Sequence, residues 1–226
     1  LEVLLKGMIV QSGNDATIAV AEKVGGTEQA FAGIMNSYAK QLGMKNSNFE
    51  NSSGLPGPTH RMSARDIATL AHAMIAECPE YYRWYALREF EWNGIKQQNR
   101  NGLLGRDPSV DGIKTGHTES AGYCLATSAE RNGMRLISAV LGTKSMKARE
   151  DASAALLNYG YTFYETVALK KKGDVLLSPR VYKGEVEMIP AVVARDVWAT
   201  VPRGSAASLV TTTSLNEPLI APLSAA

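Results

Sequence analysis

Asp111-Gly112-Ile113-Lys114-Thr115-Gly116-His117-Thr118 is the stretch on which the reading of this chain turns. It has the look of a strand edge carrying one fixed cation. Ile113 is expected to point inward, with Lys114 and His117 beside an exposed cleft. A Lys-Thr-Gly triplet alone is weak evidence, since an ordinary strand end with a hydroxyl and a glycine turn has the same composition. Its weight depends on its surroundings.

Downstream, Ala121 to Glu130 and Met134 to Leu141 read as two strands joined at Asn132-Gly133, a tight-hairpin signal. Ser145 to Phe163 then reads as a helix with Ala148, Ala152, Ala155, Leu156 and Tyr159 on one face. Upstream, Asn99 to Pro108 is a polar, glycine-rich loop, and Glu89 to Trp92 alternates before a second hairpin signal at Asn93-Gly94. The first third is helical. An apolar stripe runs from Leu1 to Val10 and breaks at Gln11-Ser12-Gly13-Asn14-Asp15, where Asn14 or Asp15 is expected to cap a helix over residues 16–24. Thr27 is expected to cap the next helix, with Phe31, Ile34, Met35, Tyr38 and Leu42 as its apolar face and Gly43 as its stop. A long polar connection from Met44 to Arg61 follows. Ser63-Ala64-Arg65-Asp66 then resembles a capping box ahead of a helix that ends before Pro79.

From Tyr164 onward the character changes. Short β-branched runs alternate with proline and glycine: Ala191 to Val193, Val197 to Val201, Leu209 to Thr213. The chain is therefore expected to be α/β (α+β), with a larger domain over residues 1–163 and a small all-β domain over residues 164–226.

Composition excludes several classes. Hydrophobic residues make up 45% and charged residues 20% of 226 residues, the balance of a globular protein with a sizeable core. A net charge of +2 is too even to suggest nucleic-acid binding, and Lys170-Lys171-Lys172 reads as a solvated turn. Two cysteines, Cys78 and Cys124, form no metal-binding pattern, and two buried thiols are expected. No apolar run is long enough to span a bilayer. Leu1 to Lys6 lacks the features of a signal peptide and resembles the middle of a helix, so the numbering is expected to begin inside a domain.

Ser12-Gly13-Asn14 places a hydroxyl and a carboxamide at a helix junction, and alone it is a turn and a cap. Taken in order with Lys114-Thr115-Gly116, 102 residues later, it supplies two thirds of the penicillin-binding-protein and β-lactamase signature. Gly7 to Ala16, Met35 to Lys40, Ser63 to Asp66, Asp111 to Thr118 and Met134 to Val140 all resemble the low-molecular-mass D-alanyl-D-alanine carboxypeptidases, most closely the penicillin-binding protein 5/6 group of peptidase family S11. The resemblance extends over nearly the whole chain.

It implies a β-lactamase/penicillin-binding-protein-like transpeptidase domain, N-terminally incomplete, followed by a small β domain, itself cut short. It implies an enzyme that removes the terminal D-Ala of peptidoglycan pentapeptides through an acyl-enzyme, with β-lactams acylating the same serine. By position, Lys114 corresponds to a cation that shapes the site and assists proton movement. Ser12 corresponds to a relay to the leaving amine, and Asn14 to a group positioning the substrate amide. Thr115, Gly116 and His117 correspond to the strand that binds substrate: Thr115 at its carboxylate, the backbone near His117 at the oxyanion. Arg149 corresponds to an arginine that attracts the terminal carboxylate; its local alternative is a helix-surface ion pair with Glu150 or Asp151. No cofactor and no metal is implied. The family's setting is the bacterial periplasm, peripheral on the inner membrane through a C-terminal amphipathic helix that these residues do not contain.

One departure is large. The family's nucleophile lies in a Ser-x-x-Lys motif upstream of Ser-x-Asn, and the eleven residues before Ser12 contain no serine. Ser37-Tyr38-Ala39-Lys40 has the spacing but the wrong order, and reads as a decoy. The expectation is a fragment of a complete enzyme, inactive unless the motif is supplied by the rest of the protein or by a second chain. The competing readings are a non-catalytic cell-wall peptide-binding or scaffold relative and, less in keeping with Gly116-His117-Thr118, a class A β-lactamase.

Overall fold

A computed structural model describes residues 1–216 and 218–223; Ser224 to Ala226, at the end of the expected β tail, lie outside the described residues. The chain divides into two compact units, Leu1–Gly160 and Tyr161–Ala226.

The first unit is built on an antiparallel sheet in the order β3-β4-β5: β3 (Val110–Thr118), β4 (Gly122–Arg131) and β5 (Met134–Thr143). The β4–β5 turn forms because Asn132 and Gly133 both take positive φ, 52° and 76°, which matches the twist of the flanking strands. Asn93 and Gly94 do the same, at 52° and 73°, between β1 (Glu89–Trp92) and β2 (Ile95–Gln98). The polar loop before β3 carries a one-turn helix, α6 (Leu103–Arg106), whose Leu103 and Leu104 are buried. Ile113 is buried, as its position in the motif led us to expect, and packs with Ala71 and Tyr82.

Helices α1 (Glu2–Gln11), α2 (Asn14–Gly25), α3 (Glu28–Gln41) and α4 (Ala64–Glu77) precede the sheet in sequence. The short α5 (Pro79–Tyr82) follows α4, and α7 (Met146–Phe163) follows the sheet. Thr27 caps α3, its Oγ1 accepting from Ala30 N at 3.1 Å, and Gly43 ends it at φ 75°. The expected apolar face of α3 is corrected. Ile34 and Tyr38 are exposed, and the buried positions are Ala32 and Ala39. Small residues let the helix sit close to its neighbours, and Met35 and Leu42 only flank the Ala39–Met44–Phe49 cluster.

Asp66 departs from the capping box. Ser63 caps α4 by accepting from Asp66 N at 3.1 Å, but the Asp66 carboxylate is turned mainly to a neighbouring loop. It accepts from Asn46 N at 2.8 Å and Ser47 Oγ at 2.7 Å. It therefore pins the start of the long polar connection, which Asn36 also holds through Phe49 N and O. Burial alone would raise the Asp66 carboxyl; the hydrogen bonds of Ser47, Asn46 and Ser63, with the charge of Arg65, outweigh it and hold it below its ordinary range.

In the second unit β6 (Tyr164–Lys170) pairs antiparallel with β10 (Val197–Pro202). β7 (Val175–Leu177) pairs antiparallel with β9 (Ala191–Val192), and β8 (Val181–Tyr182) pairs parallel with β11 (Leu219–Ile220). Val181, Val193 and Val201 are its buried centre. The Arg203 guanidinium donates to the carbonyls of Tyr161, Thr162 and Tyr164. Leu209 to Thr213, expected as a strand, has no strand partner among the described residues; Val210 is 86% exposed, and β-branched composition without a neighbouring strand does not make a sheet.

Candidate active site

Ser12 ends α1 in the left-handed conformation, φ 60° and ψ 42°. Its N–H donates to Met8 O, and Gly13 N–H donates to Gly7 O, a helix-ending pattern whose left-handed position glycine fills most cheaply. A side chain there costs about 1 kcal/mol. The cost accompanies a hydroxyl turned out of the helix, with α2 starting immediately beyond it. The cap expected from Asn14 or Asp15 is corrected: Gly13 is the N-cap of α2, with no side-chain bond, and Asn14 opens the helix with an exposed side chain. Ser12 leaves the chain already turned at Gly13, so no capping carboxylate or amide is needed to reverse it.

β3 is an edge strand. Lys114 is paired across to Ala126 and its Nζ hydrogen-bonds Ser12 Oγ, joining residues 102 positions apart; Nζ also donates to Thr115 O at 3.0 Å. The Lys114 ammonium is largely removed from water. Burial first, and then the nearby charges of Arg100 and Arg149, lower its pKa to about 8. It can therefore hold or release a proton near neutral pH.

Arg149, on α7, is 3% exposed. Its Nη1 donates to Gly116 O at 3.3 Å and Cys124 O at 3.5 Å, its Nη2 to Arg100 O at 3.2 Å, and the guanidinium lies over the Tyr123 ring. The ion-pair alternative is not what forms. Glu150 and Asp151 bind Arg106, and Asp151 also binds Lys147. Arg149 Nε is buried with no hydrogen-bond partner. Thr115 is partly buried, Gly116 and His117 are exposed, and the His117 ring packs on Tyr123 with centroids 4.0 Å apart.

The Ser37/Lys40 pair lies on α3. Both are exposed, and Ser37 Oγ is bonded to Gly33 O one turn back. The expectation of two buried thiols is corrected: both are free, Cys78 exposed on the polar end of α4 and Cys124 partly buried on β4. Among the described residues no cluster of three or more His, Cys, Asp or Glu could hold a metal ion, and no helix is long and apolar enough to cross a membrane.

Sequence reasoning passed over Arg100. It is exposed, its carbonyl holds Arg149, and its charge is felt at Lys114. The available signal was its place in the glycine-rich loop leading into the motif strand, where functional side chains concentrate.

An edge strand presenting Lys-Thr-Gly against a Ser-x-Asn turn between two helices defines the class of active-site-serine proteins that recognise penicillin. The comparisons agree. Residues 1–145 match the family model described as D-alanyl-D-alanine carboxypeptidase, and residues 164–226 match the model of the penicillin-binding protein 5 C-terminal domain. The chain belongs to the D-alanyl-D-alanine carboxypeptidase family. It is 45% identical over 214 residues to D-alanyl-D-alanine carboxypeptidase DacA of Escherichia coli (strain K12), covering 94% of this chain and 53% of that protein. It is also similar to the crystal structure of penicillin-binding protein 5 from Haemophilus influenzae, with a TM-score of 0.87 and 41% identity over 97% of this chain and 65% of that one. Penicillin-binding protein D2 of Listeria monocytogenes, in its cefotaxime-bound form, aligns with a TM-score of 0.66 and 32% identity over 70% of this chain and 65% of that one. The chain spans about half the length of the curated relatives it matches.

Proposed function

We propose that this chain forms one wall of the catalytic cleft of a serine-type D-Ala-D-Ala carboxypeptidase that trims the terminal D-Ala of peptidoglycan pentapeptides in the bacterial periplasm. The observation that carries the proposal is the hydrogen bond between Lys114 Nζ and Ser12 Oγ. It joins the two motifs into one proton path. In this reading the nucleophile comes from a Ser-x-x-Lys segment outside residues 1–226, and the chain alone does not turn over.

The chemistry follows from the geometry. Among the described residues β3 is paired along one edge only, so alternate backbone groups on the other can pair with an extended peptide and hold it along Thr115 to His117. The Thr115 hydroxyl faces the terminal carboxylate. Arg149 is too enclosed to reach a substrate directly as it stands; it fixes the Gly116 carbonyl and adds positive potential under the strand. A backbone N–H near His117 stabilises the developing oxyanion, a contribution of about 3 kcal/mol in sites of this kind. When the acyl-enzyme forms, the oxygen of the nucleophilic serine bonds to the carbonyl carbon and its proton passes to the lysine of its own motif; the C–N bond of the terminal peptide breaks, and the departing amine takes a proton through Ser12 from Lys114, which solvent reprotonates. Asn14 holds the amide of the penultimate residue. Water then releases the shortened peptide. β-Lactams place their own carboxylate and carbonyl in the same positions, and the cefotaxime-bound relative supports them as ligands.

Fluorescent penicillin distinguishes this from the non-catalytic scaffold reading. The complete protein is expected to be labelled covalently, and Lys114→Ala and Ser12→Ala are expected to slow labelling without unfolding the protein. Absence of label on the complete protein favours the scaffold.

A further inference from the structure

Asp111, the second residue of β3, does something the motif roles leave out. Asp111 is an extra residue in β3: Val110 pairs with Ala129 and Gly112 with Ser128, so two steps on β3 answer one step on β4. A bulge of one residue reverses which face of the sheet every later side chain occupies. The phase set at Asp111 therefore bears on which way Lys114 points, three residues on.

Side chains from three separate elements fasten that bulge. Tyr82, from α5, donates its hydroxyl to Asp111 Oδ1 at 2.7 Å. Arg135, from β5, donates Nη1 to Asp111 Oδ2 at 2.7 Å and to Ser128 Oγ at 2.7 Å, and Nη2 to Glu130 at 2.5 Å. The Arg135 guanidinium also lies over the Tyr82 ring. The next residue is held as well: buried Asn101 donates Nδ2 to Gly112 O at 3.1 Å. The fit is tight: a Cβ at Gly112 would stand 2.9 Å from Tyr82 Oη and 3.3 Å from Tyr85 Cβ. Burial, opposed by Ser128 and reinforced by Asp111, pushes the Tyr82 phenol up, so it remains a donor across the working range.

We propose that Asp111 is a positioning residue for Lys114: clamped by Tyr82 and Arg135, it fixes the bulge that aims the Lys114 side chain at Ser12. The proposal rests on the carboxypeptidase reading above. Asp111 touches no substrate in this account. It acts through the strand, and a charge-assisted carboxylate with two donors is rigid enough to do so.

The test measures acylation by a β-lactam across pH in the complete protein for Asp111→Ala, Asp111→Asn, Tyr82→Phe and, as reference, Lys114→Ala. The charged groups facing Lys114 are Arg100 from the loop before α6 and Arg149 from α7, and they are the same in all the Asp111 and Tyr82 variants. Asp111→Ala is expected to slow acylation about ten- to a hundredfold, the scale of a misplacement of about 1 Å. It is also expected to move the pH limb that reports Lys114 upward from about 8, as the ammonium leaves its buried seat. Asp111→Asn keeps the shape but only one of the two acceptor oxygens and no charge, and is expected to give a rate between those of Asp111→Ala and the parent. A folded Asp111→Ala with the parent's rate and pH limb overturns the proposal. If Asp111→Ala does not fold, Tyr82→Phe decides: a slower rate with an upward-shifted limb supports the clamp, and an unchanged profile overturns it. Normal acylation by Lys114→Ala would overturn the functional reading and the clamp together, whereas an inactive Lys114→Ala beside an unaltered Asp111→Ala overturns the clamp alone.

Discussion

Replacing Lys114 with methionine should change the stability of the protein in a pH-dependent way whose size follows from the site. The ammonium is buried beside Ser12 and faces Arg100 and Arg149, and its pKa falls from 10.5 to about 8. The difference between those values corresponds to about 3 kcal/mol by which folding disfavours the charged amine. Between about pH 8 and 10.5 the unfolded chain binds more protons than the folded one, so this contribution to stability rises with pH across that window. Below it the full cost is present. Lys114→Met keeps the length of the side chain and removes the cost, but it loses hydrogen bonds to Ser12 and Thr115 O worth about 1 kcal/mol each. At pH 7 the variant is therefore expected to be more stable by about 1 kcal/mol, or about 3 °C in Tm. Raising the pH through the window should then shift the balance toward the wild type by about 3 kcal/mol. Urea unfolding of the complete protein and the variant at a series of pH values measures this. A stability difference that stays flat with pH would show that Lys114 titrates as an ordinary exposed lysine, and would refute the buried relay.

Other substitutions test other parts of the site. Arg149→Lys keeps the charge but loses the forked donation to the carbonyls of Gly116, Cys124 and Arg100, and should slow β-lactam acylation about tenfold, read by stopped-flow labelling. Gly112→Ala forces a methyl against Tyr82 and Tyr85 and should cost about 1–3 kcal/mol, measured by thermal unfolding. The Asp66 carboxyl lies below its ordinary range in the folded state, so its contribution is present above the unfolded pKa and lost as pH falls through the folded one. The wild type should accordingly lose stability more steeply than Asp66→Asn as pH falls through the carboxylate range, read by urea unfolding at a series of pH values.

The sequence disclosed the site in proportion to how local its determinants are. Both Asn-Gly hairpins and the Thr27 cap are decided within a few residues, by positive φ and one side-chain bond, and they formed as read. Ser12 and Lys114 were legible only as two motifs in order; nothing local in either says that they touch. The misreadings have a common origin in tertiary context. Asp66 has the spacing of a capping box, yet a neighbouring loop offers it better donors than its own helix does. Asn14 and Asp15 are good caps, but a serine in the left-handed conformation had already turned the chain. Arg149 has two acidic neighbours in sequence, and Arg106 takes both. Leu209 to Thr213 has strand composition and, among the described residues, no strand to pair with. The bulge at Asp111 was hidden because register shifts depend on the partner strand, which no pattern within β3 reveals.

The central claim is that Ser12 and Lys114 pass a proton to the amine leaving a D-Ala-D-Ala bond. The most direct measurement is D-alanine release from a peptide ending in D-Ala-D-Ala by the complete protein and by its Ser12→Ala variant, with folding checked by circular dichroism. The account predicts release by the wild type and a fall of about a hundredfold or more in the variant, the scale of losing a proton-transfer group. Equal release by the two proteins would contradict it.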